Sequence, residues 1–274
     1  MSRDDDIGFA PIDQPDVLAP EDTWAVLLQT YKELPYSQLA HRLANIANMA
    51  SLDIAARLHH QQGIVWENLP EDKAKSLASI LTGDGFPSIA IPQDQIVKLG
   101  RPAVTRRAVA TATGIEVSDM YGVTVVLPHD RIVLAQAGWV SEAVEIGPDL
   151  SIASADVRLT EEYGMGPAYF KATKPETGEL GWVLHLFSSA KPEWIRIEGR
   201  HFSYEYQDSI GEAWQNRFRV LLGDFAKVLP EQCLDECYKS ILNDPAKLPA
   251  GVAYRSIHDM VERAVWILTL KATS

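Results

Sequence analysis

The distribution of apolar and polar positions divides the chain into blocks of different period. Trp24-Ala25-Val26-Leu27-Leu28 is a short unbroken apolar run, which predicts a buried strand. Leu39, Leu43, Ile46 and Ala47 follow at helical spacing behind Ser37, a residue suited to an N-cap. After Asn48-Met49-Ala50, Ser51 is placed to cap a second short helix carrying Leu52, Ala55 and Leu58, which Gly63 closes. Ile64-Val65-Trp66 predicts a second strand. Pro70 suits the first turn of a third helix, where Glu71 and Asp72 favour the positive end of its dipole. Ala74, Leu77, Ala78 and Leu81 form that helix's apolar face, Gly83 and Gly85 stop it, and Phe86 to Ile91 predicts a third strand. The order β-α-α-β-α-β is that of a compact unit able to bury one sheet face under helices.

The order of these elements, with Leu52-Asp53-Ile54-Ala55-Ala56-Arg57-Leu58, Gly63-Ile64-Val65 and the helix from Pro70 into Gly85, resembles the C-terminal domain of the bacterial ribosomal stalk protein. The resemblance covers residues 23–92 and implies that family's fold. Its factor-binding activity is not implied, because the lysines the family places after the helix corner are replaced here by Asp53 and Ala56, and the corner glycines are missing.

From Gln93 the character changes. A short connector ends at Pro102, and Thr105–Thr113, Gly114–Asp119, Gly122–Leu127 and Ile132–Val140 are rich in Val, Thr and Ile, with turn signals between them. Residues 147–181 are rich in Gly and Pro and read as loop. Strand signals return at Trp182–Phe187, Trp194–Ile197 and Phe202–Tyr206. This spacing predicts an antiparallel sheet curled into a sandwich or small barrel. Trp214, Phe218, Leu221, Leu222, Phe225, Val228 and Leu229 then make one continuous apolar helix face, which Pro230 terminates. A strand-rich block followed by such a helix resembles a pleckstrin-homology-like barrel over residues 104–228. A shorter helix carrying Cys233 and Cys237, a loop over 243–251, and a last amphipathic helix opened by a Ser256/Asp259 capping pair complete the chain. The expected class is α+β. The expected organisation is an acidic arm over 1–22, a stalk-like domain over 23–101, a β-rich domain over 102–229 and C-terminal helices over 230–274. The order of segments as a whole resembles an uncharacterised bacterial protein family, and no activity follows from that.

Charge sharpens this picture. The formal net charge is -12, and half of it sits in residues 1–22, where Asp4, Asp5, Asp6, Asp13, Asp16, Glu21 and Asp22 face only Arg3. A solvated arm is expected there, able to meet a basic protein partner. An acidic body argues against binding nucleic acid, which needs clustered Lys and Arg. No apolar stretch approaches the length of a membrane helix, no secretory leader opens the chain, and a reducing cytoplasm is the default location.

Chemistry-bearing motifs are sparse. Cys233 and Cys237 would share a helix face, but no second ligand pair accompanies them, so they are expected to pack in the core. The adjacent His59 and His60 point apart, and Gly164-Met165-Gly166-Pro167 lacks the residues of a phosphate loop. No catalytic residue, cofactor or metal ligand is assigned. The expected function is a non-enzymatic cytoplasmic scaffold or protein-interaction role. One alternative is an enzyme in which His201 and Glu205, on one side of a strand, line a pocket. The other is a binder of anionic lipid or phosphopeptide through Arg106 and Arg107, beside Arg101.

Overall fold

The computed structural model describes residues 23–47, 49–118, 122–142, 178–190, 194–204, 213–243 and 253–273. The acidic arm, Glu205, and most of the segments read as loop over 147–181 and 243–251 lie outside them. The protein is α+β and divides into two compact units, one ending at Ile96 and the other starting at Val97.

The first unit runs β1 (Trp24–Leu28), α1 (Tyr36–Ala47), α2 (Ser51–His60), β2 (Ile64–Leu69), α3 (Glu71–Gly83), β3 (Ser88–Pro92). Its sheet is antiparallel in the order β2-β1-β3. β1 is central and Ala25 through Leu28 are all buried, which is why that strand reads as a run rather than an alternation. Val26, Leu28, Leu43, Ile54, Leu58, Val65, Leu77 and Leu81 build the core against the helices.

The helix starts differ from the sequence reading. The Pro35 carbonyl accepts from Gln38 N and Leu39 N, so α1 begins at Tyr36, ahead of Ser37. Ala50, not Ser51, is the N-cap of α2, and no side chain caps it. The end of α3 follows the sequence closely. Gly85 adopts φ 85°, Phe86 N donates to Leu81 O at 2.9 Å, and Gly85 N donates to Thr82 O at 3.1 Å, a Schellman closure.

The second unit contains β4 (Ala103–Thr105), β5 (Arg107–Ala110), β6 (Gly114–Ser118), β7 (Thr124–Pro128), β8 (Ile132–Glu142), β9 (Gly178–Ser188), β10 (Trp194–Glu198), α4 (Trp214–Ala226), α5 (Glu236–Asn243), β11 (Ala253–Tyr254) and α6 (Ile257–Thr273). One sheet has the order β11-β8-β9-β10-β4 and the other β5-β6-β7. β8, β9 and β10 are antiparallel, but β4 pairs with β10, and β11 with β8, in parallel. The chain bends at Arg106, so β4 and β5 carry one extended stretch from the first sheet into the second.

Both faces of the larger sheet are covered. On one, Ala135, Ala137, Leu184, Leu186, Ile195 and Ile197 pack with Ile115 and Leu127 of the smaller sheet and with Phe218, Leu221, Leu222 and Phe225 of α4. On the other, Leu134, Phe187 and Trp194 meet Ala264 of α6, and Val140 and Val183 meet Met260. Burial on two faces explains the apolar runs of β8 and β9. α4 stops at Ala226, short of the periodic Val228 and Leu229, which lie in a turn bonded to Phe225 O. Pro230 disfavours helical backbone at Leu229, the residue before it.

Candidate functional site

Of the segment Phe202–Tyr206, the described residues Phe202–Tyr204 do not continue β10 as a strand. Gly199–His201 is a 3₁₀ turn, and Phe202 to Tyr204 fold back as buried aromatics in edge contact, centroids 5.0 Å apart. Gly199 permits this, since a Cβ there would lie 2.8 Å from Phe218 Cδ2 and 3.1 Å from Trp214 Cζ3. The Tyr204 hydroxyl donates to the Gly199 carbonyl at 2.8 Å. His201 is exposed, its Nδ1 3.1 Å from Glu198 Oε2, while Glu198 Oε1 lies 3.1 Å from Arg196 Nε. Among the described residues the carboxylate beside His201 is Glu198.

Arg101, Arg106 and Arg107 are exposed and form no ion pair among the described residues. A cleft of about 220 Å³ beside them is lined by Ala103, Val104, Thr105, Val117, Val123, Val125 and Ile195. Its walls are apolar, and none of the three arginines contributes to them.

The two cysteines do not share a helix. Cys233 closes a 3₁₀ turn, Glu231–Cys233, and its thiol donates to Ile132 O at 3.0 Å. Cys237 lies in α5 with Sγ 3.8 Å from Tyr254 Oη, and neither cysteine is in a disulfide. Asp235 separates them by capping α5: its Oδ1 accepts from Tyr238 N at 2.7 Å and its carbonyl accepts from Lys239 N. Among the described residues no cluster of His, Cys, Asp or Glu is arranged to hold a metal. Burial and the neighbouring Asp235 push the Cys237 thiol up to about 12. The reactive species of a cysteine is its thiolate, so native Cys237 should resist iodoacetamide at about pH 8 and react once urea is added. Mass spectrometry of labelled peptides checks this, and rapid native labelling would show that α5 opens.

A polar row was not anticipated from the sequence. Gln136, His185 and Arg196 are register partners on β8, β9 and β10, and the first two are fully buried. The His185 ring stands edge-on to Trp194 and Phe187, with centroids 5.1 and 5.9 Å away. Gln136 Nε2 donates to Tyr254 Oη at 3.2 Å, while Gln136 Oε1 and both His185 nitrogens have no hydrogen-bond partner among the described residues. Burial, aided by the positive charge of Arg196, lowers the His185 pKa to about 3, so the ring is neutral. Gln136 and His185 are sealed among apolar side chains, while Arg196 is partly exposed and paired with Glu198.

The accessible feature is β7. Gly122 through Val126 are all exposed, with Val123, Val125 and Val126 at 60%, 36% and 46%. β7 has β6 as its one strand neighbour among the described residues, and no charged residue occurs from Gly122 to Pro128. Edge strands are usually protected by charge, bulges or a covering segment, since their unpaired amides and carbonyls template further pairing. Sequence reading found a strand over Gly122–Leu127 from its Val and Thr content, but nothing in that pattern marks it as an exposed edge.

Fold and surface together define a two-unit α+β protein whose second unit carries an uncharged, valine-rich sheet edge. In comparison with known proteins, no family model, no curated protein and no solved structure matches the chain. Among the described residues no helix is long and apolar enough to cross a membrane.

Proposed function

We propose that the protein is a non-enzymatic interaction module that works in the cytoplasm and binds by adding an extended strand to β7. The observation that carries this reading is the exposed, uncharged row Thr124, Val125 and Val126 of β7. Strand addition draws affinity from main-chain hydrogen bonds and specificity from side-chain pockets. The apolar cleft beside Val123 and Val125 supplies such a pocket. Two cysteines outside any disulfide suit a reducing compartment. For the first unit, the element order and the β2-β1-β3 sheet support a stalk-like fold, without the stalk family's activity.

The test is capture from native lysate with full-length protein and with Val125→Lys, whose far-UV circular dichroism should match the parent. A charged side chain on an edge blocks strand pairing, so the parent should retain a partner that the variant loses. Equal retention by both proteins would remove β7 from the reading.

A second reading rests on Arg101, Arg106 and Arg107, exposed and without ion pairs among the described residues. It makes the same unit a binder of anionic headgroups. Co-sedimentation with phosphatidylserine vesicles at low salt, lost in Arg106→Glu, supports it, and no co-sedimentation removes it.

A further inference from the structure

We infer that the second unit holds a site for a small aliphatic carboxylic acid, in a cleft between α6 and the segment that precedes β4. The site lies apart from β7 and does not depend on strand addition. The cleft has a volume of about 380 Å³, within the range of about 300–1,000 Å³ typical of small-molecule sites. Its apolar walls are Val97, Leu99, Val133, Phe187 and Leu268, and its rim carries Lys98, Lys271 and Ala272, all three exposed. Ser188 completes the lining, and its hydroxyl already accepts from Ala190 N at 3.0 Å. Every one of these residues belongs to the second unit.

The walls are held in place by the fold itself. Val97 N donates to Thr269 Oγ1 of α6 at 3.1 Å, and the Trp194 indole donates to Gly100 O at 2.8 Å. The stretch from Val97 to Gly100 is thereby pinned at both ends. Phe187 stacks on Trp194 with centroids 5.4 Å apart, which fixes the aromatic part of the wall. A preformed cleft spares a ligand the cost of ordering its site.

The rim supplies the charge. Lys271 Nζ donates to Val133 O at 2.9 Å and to Gln232 O at 3.1 Å. An ammonium has three donors, so one is left on a group already held at the cleft. Neither Lys271 nor Lys98 has a carboxylate partner among the described residues. Aliphatic walls suit an aliphatic body, and two ammonium groups without counter-charge suit an anionic head. The ligand so defined is a straight-chain monocarboxylate, its tail against Phe187 and Leu268 and its head at the lysine rim.

Isothermal titration calorimetry of the full-length protein with butanoate, hexanoate and octanoate is the experiment. Each added methylene should tighten binding about fourfold, the effect of burying it away from water. Octan-1-ol has the same tail without the charge and should bind more weakly than octanoate. Exposed ion pairs contribute modestly, so Lys98→Met should weaken octanoate by about two- to fivefold and leave octanol unchanged. Lys271→Met should act in the same direction. Methyl NMR of the wild type locates the ligand without relying on any variant. Val97, Leu99, Val133 and Leu268 should shift on addition of octanoate, while Val123 and Val125, in the cleft beside β7, should not.

Failure of millimolar octanoate to bind overturns the inference, as does octanol binding as tightly as octanoate. Shifts centred on Val123 and Val125 overturn it as well, and so does wild-type affinity in both lysine variants. None of these results bears on partner capture by β7, which Val125→Lys tests separately.

Discussion

Gly181→Ala should destabilise the second unit by about 3 kcal/mol, the sum of a left-handed backbone imposed on an L-residue and an overpacked contact. Gly181 has φ 81°, and a Cβ there would lie 2.5 Å from Trp214 Cη2 and 3.1 Å from its Cζ2. The indole has little room to retreat. It stacks on Trp139 at 6.3 Å, and Trp139 in turn meets Trp182 edge-on at 5.3 Å. The position is also where the β8–β9 register shifts: Val140 faces Gly181 and Ser141 faces Glu179, which leaves one extra residue in β9. Urea unfolding followed by near-ultraviolet circular dichroism measures the effect. Gly223→Ala is the control. It lies within α4 with nothing inside 4 Å of a built Cβ, so alanine should be neutral or stabilising by up to about 1 kcal/mol. Matching midpoints for Gly181→Ala and the wild type would mean that Trp214 does not sit against this strand.

The second large effect is a pair of opposed pH dependences. His185 is lowered to about 3 by burial and by Arg196, from 6.5. Between those values the unfolded chain binds a proton that the native protein does not, so this group costs stability as pH falls from about 6.5 toward 3. Asp235 is raised from 3.8 to about 7 by burial, against the N–H groups of Tyr238 and Ala137 and the charge of Arg263. Its folded pKa lies above its unfolded one, so its contribution is fully present below about 3.8 and is lost as pH rises through about 7. The two windows nearly coincide and their slopes oppose, which leaves little net dependence from the pair.

Removing one member should expose the other. Relative to wild type, His185→Leu should fare better at about pH 4.5 than at pH 7.5, and Asp235→Asn should show the reverse, each by about 2–3 kcal/mol at most. Asparagine is an adequate N-cap, so α5 keeps its start. Urea midpoints at the two pH values provide the measurement. Differences of the same sign in both variants would contradict the burial of one or the other group.

Most regular elements were legible in the sequence, and the reasons are local. The first unit is punctuated by Pro70, Gly63 and Gly85, and each acts where it stands: Gly63 and Gly85 take positive φ and Pro70 caps α3. α4 was legible from its period, but its end was not, because Leu229 continues the apolar pattern while Pro230 forbids the backbone. Elements held by distant neighbours left little trace. β4 and β11 have three and two residues and exist because β10 and β8 pair with them. The turn at Gly199 was hidden because Phe202 and Tyr204 alternate as a strand would.

The site was less legible than the fold. Val123, Val125 and Val126 have the composition of a core strand, and exposure of an edge depends on which strands lie beside it. The buried row was hidden for the opposite reason. His185 reads as a polar residue in an apolar run, and only the register with Gln136 and Arg196 shows that the polar residues are stacked side by side.

The pairing of β4 with β10 has a consequence for biosynthesis. Unit one is complete once Ile96 has left the ribosome, and its strands all lie within that stretch. The larger sheet is not complete until β10 reaches β4 from the far side of the sequence, and its second face waits longer still, for α6. Until α6 is translated, Leu134, Val183, Phe187 and Trp194 lack the helix that covers them. A nascent chain in this state presents bare apolar surface. The arrival of α6 is therefore the step that removes this apolar face from water.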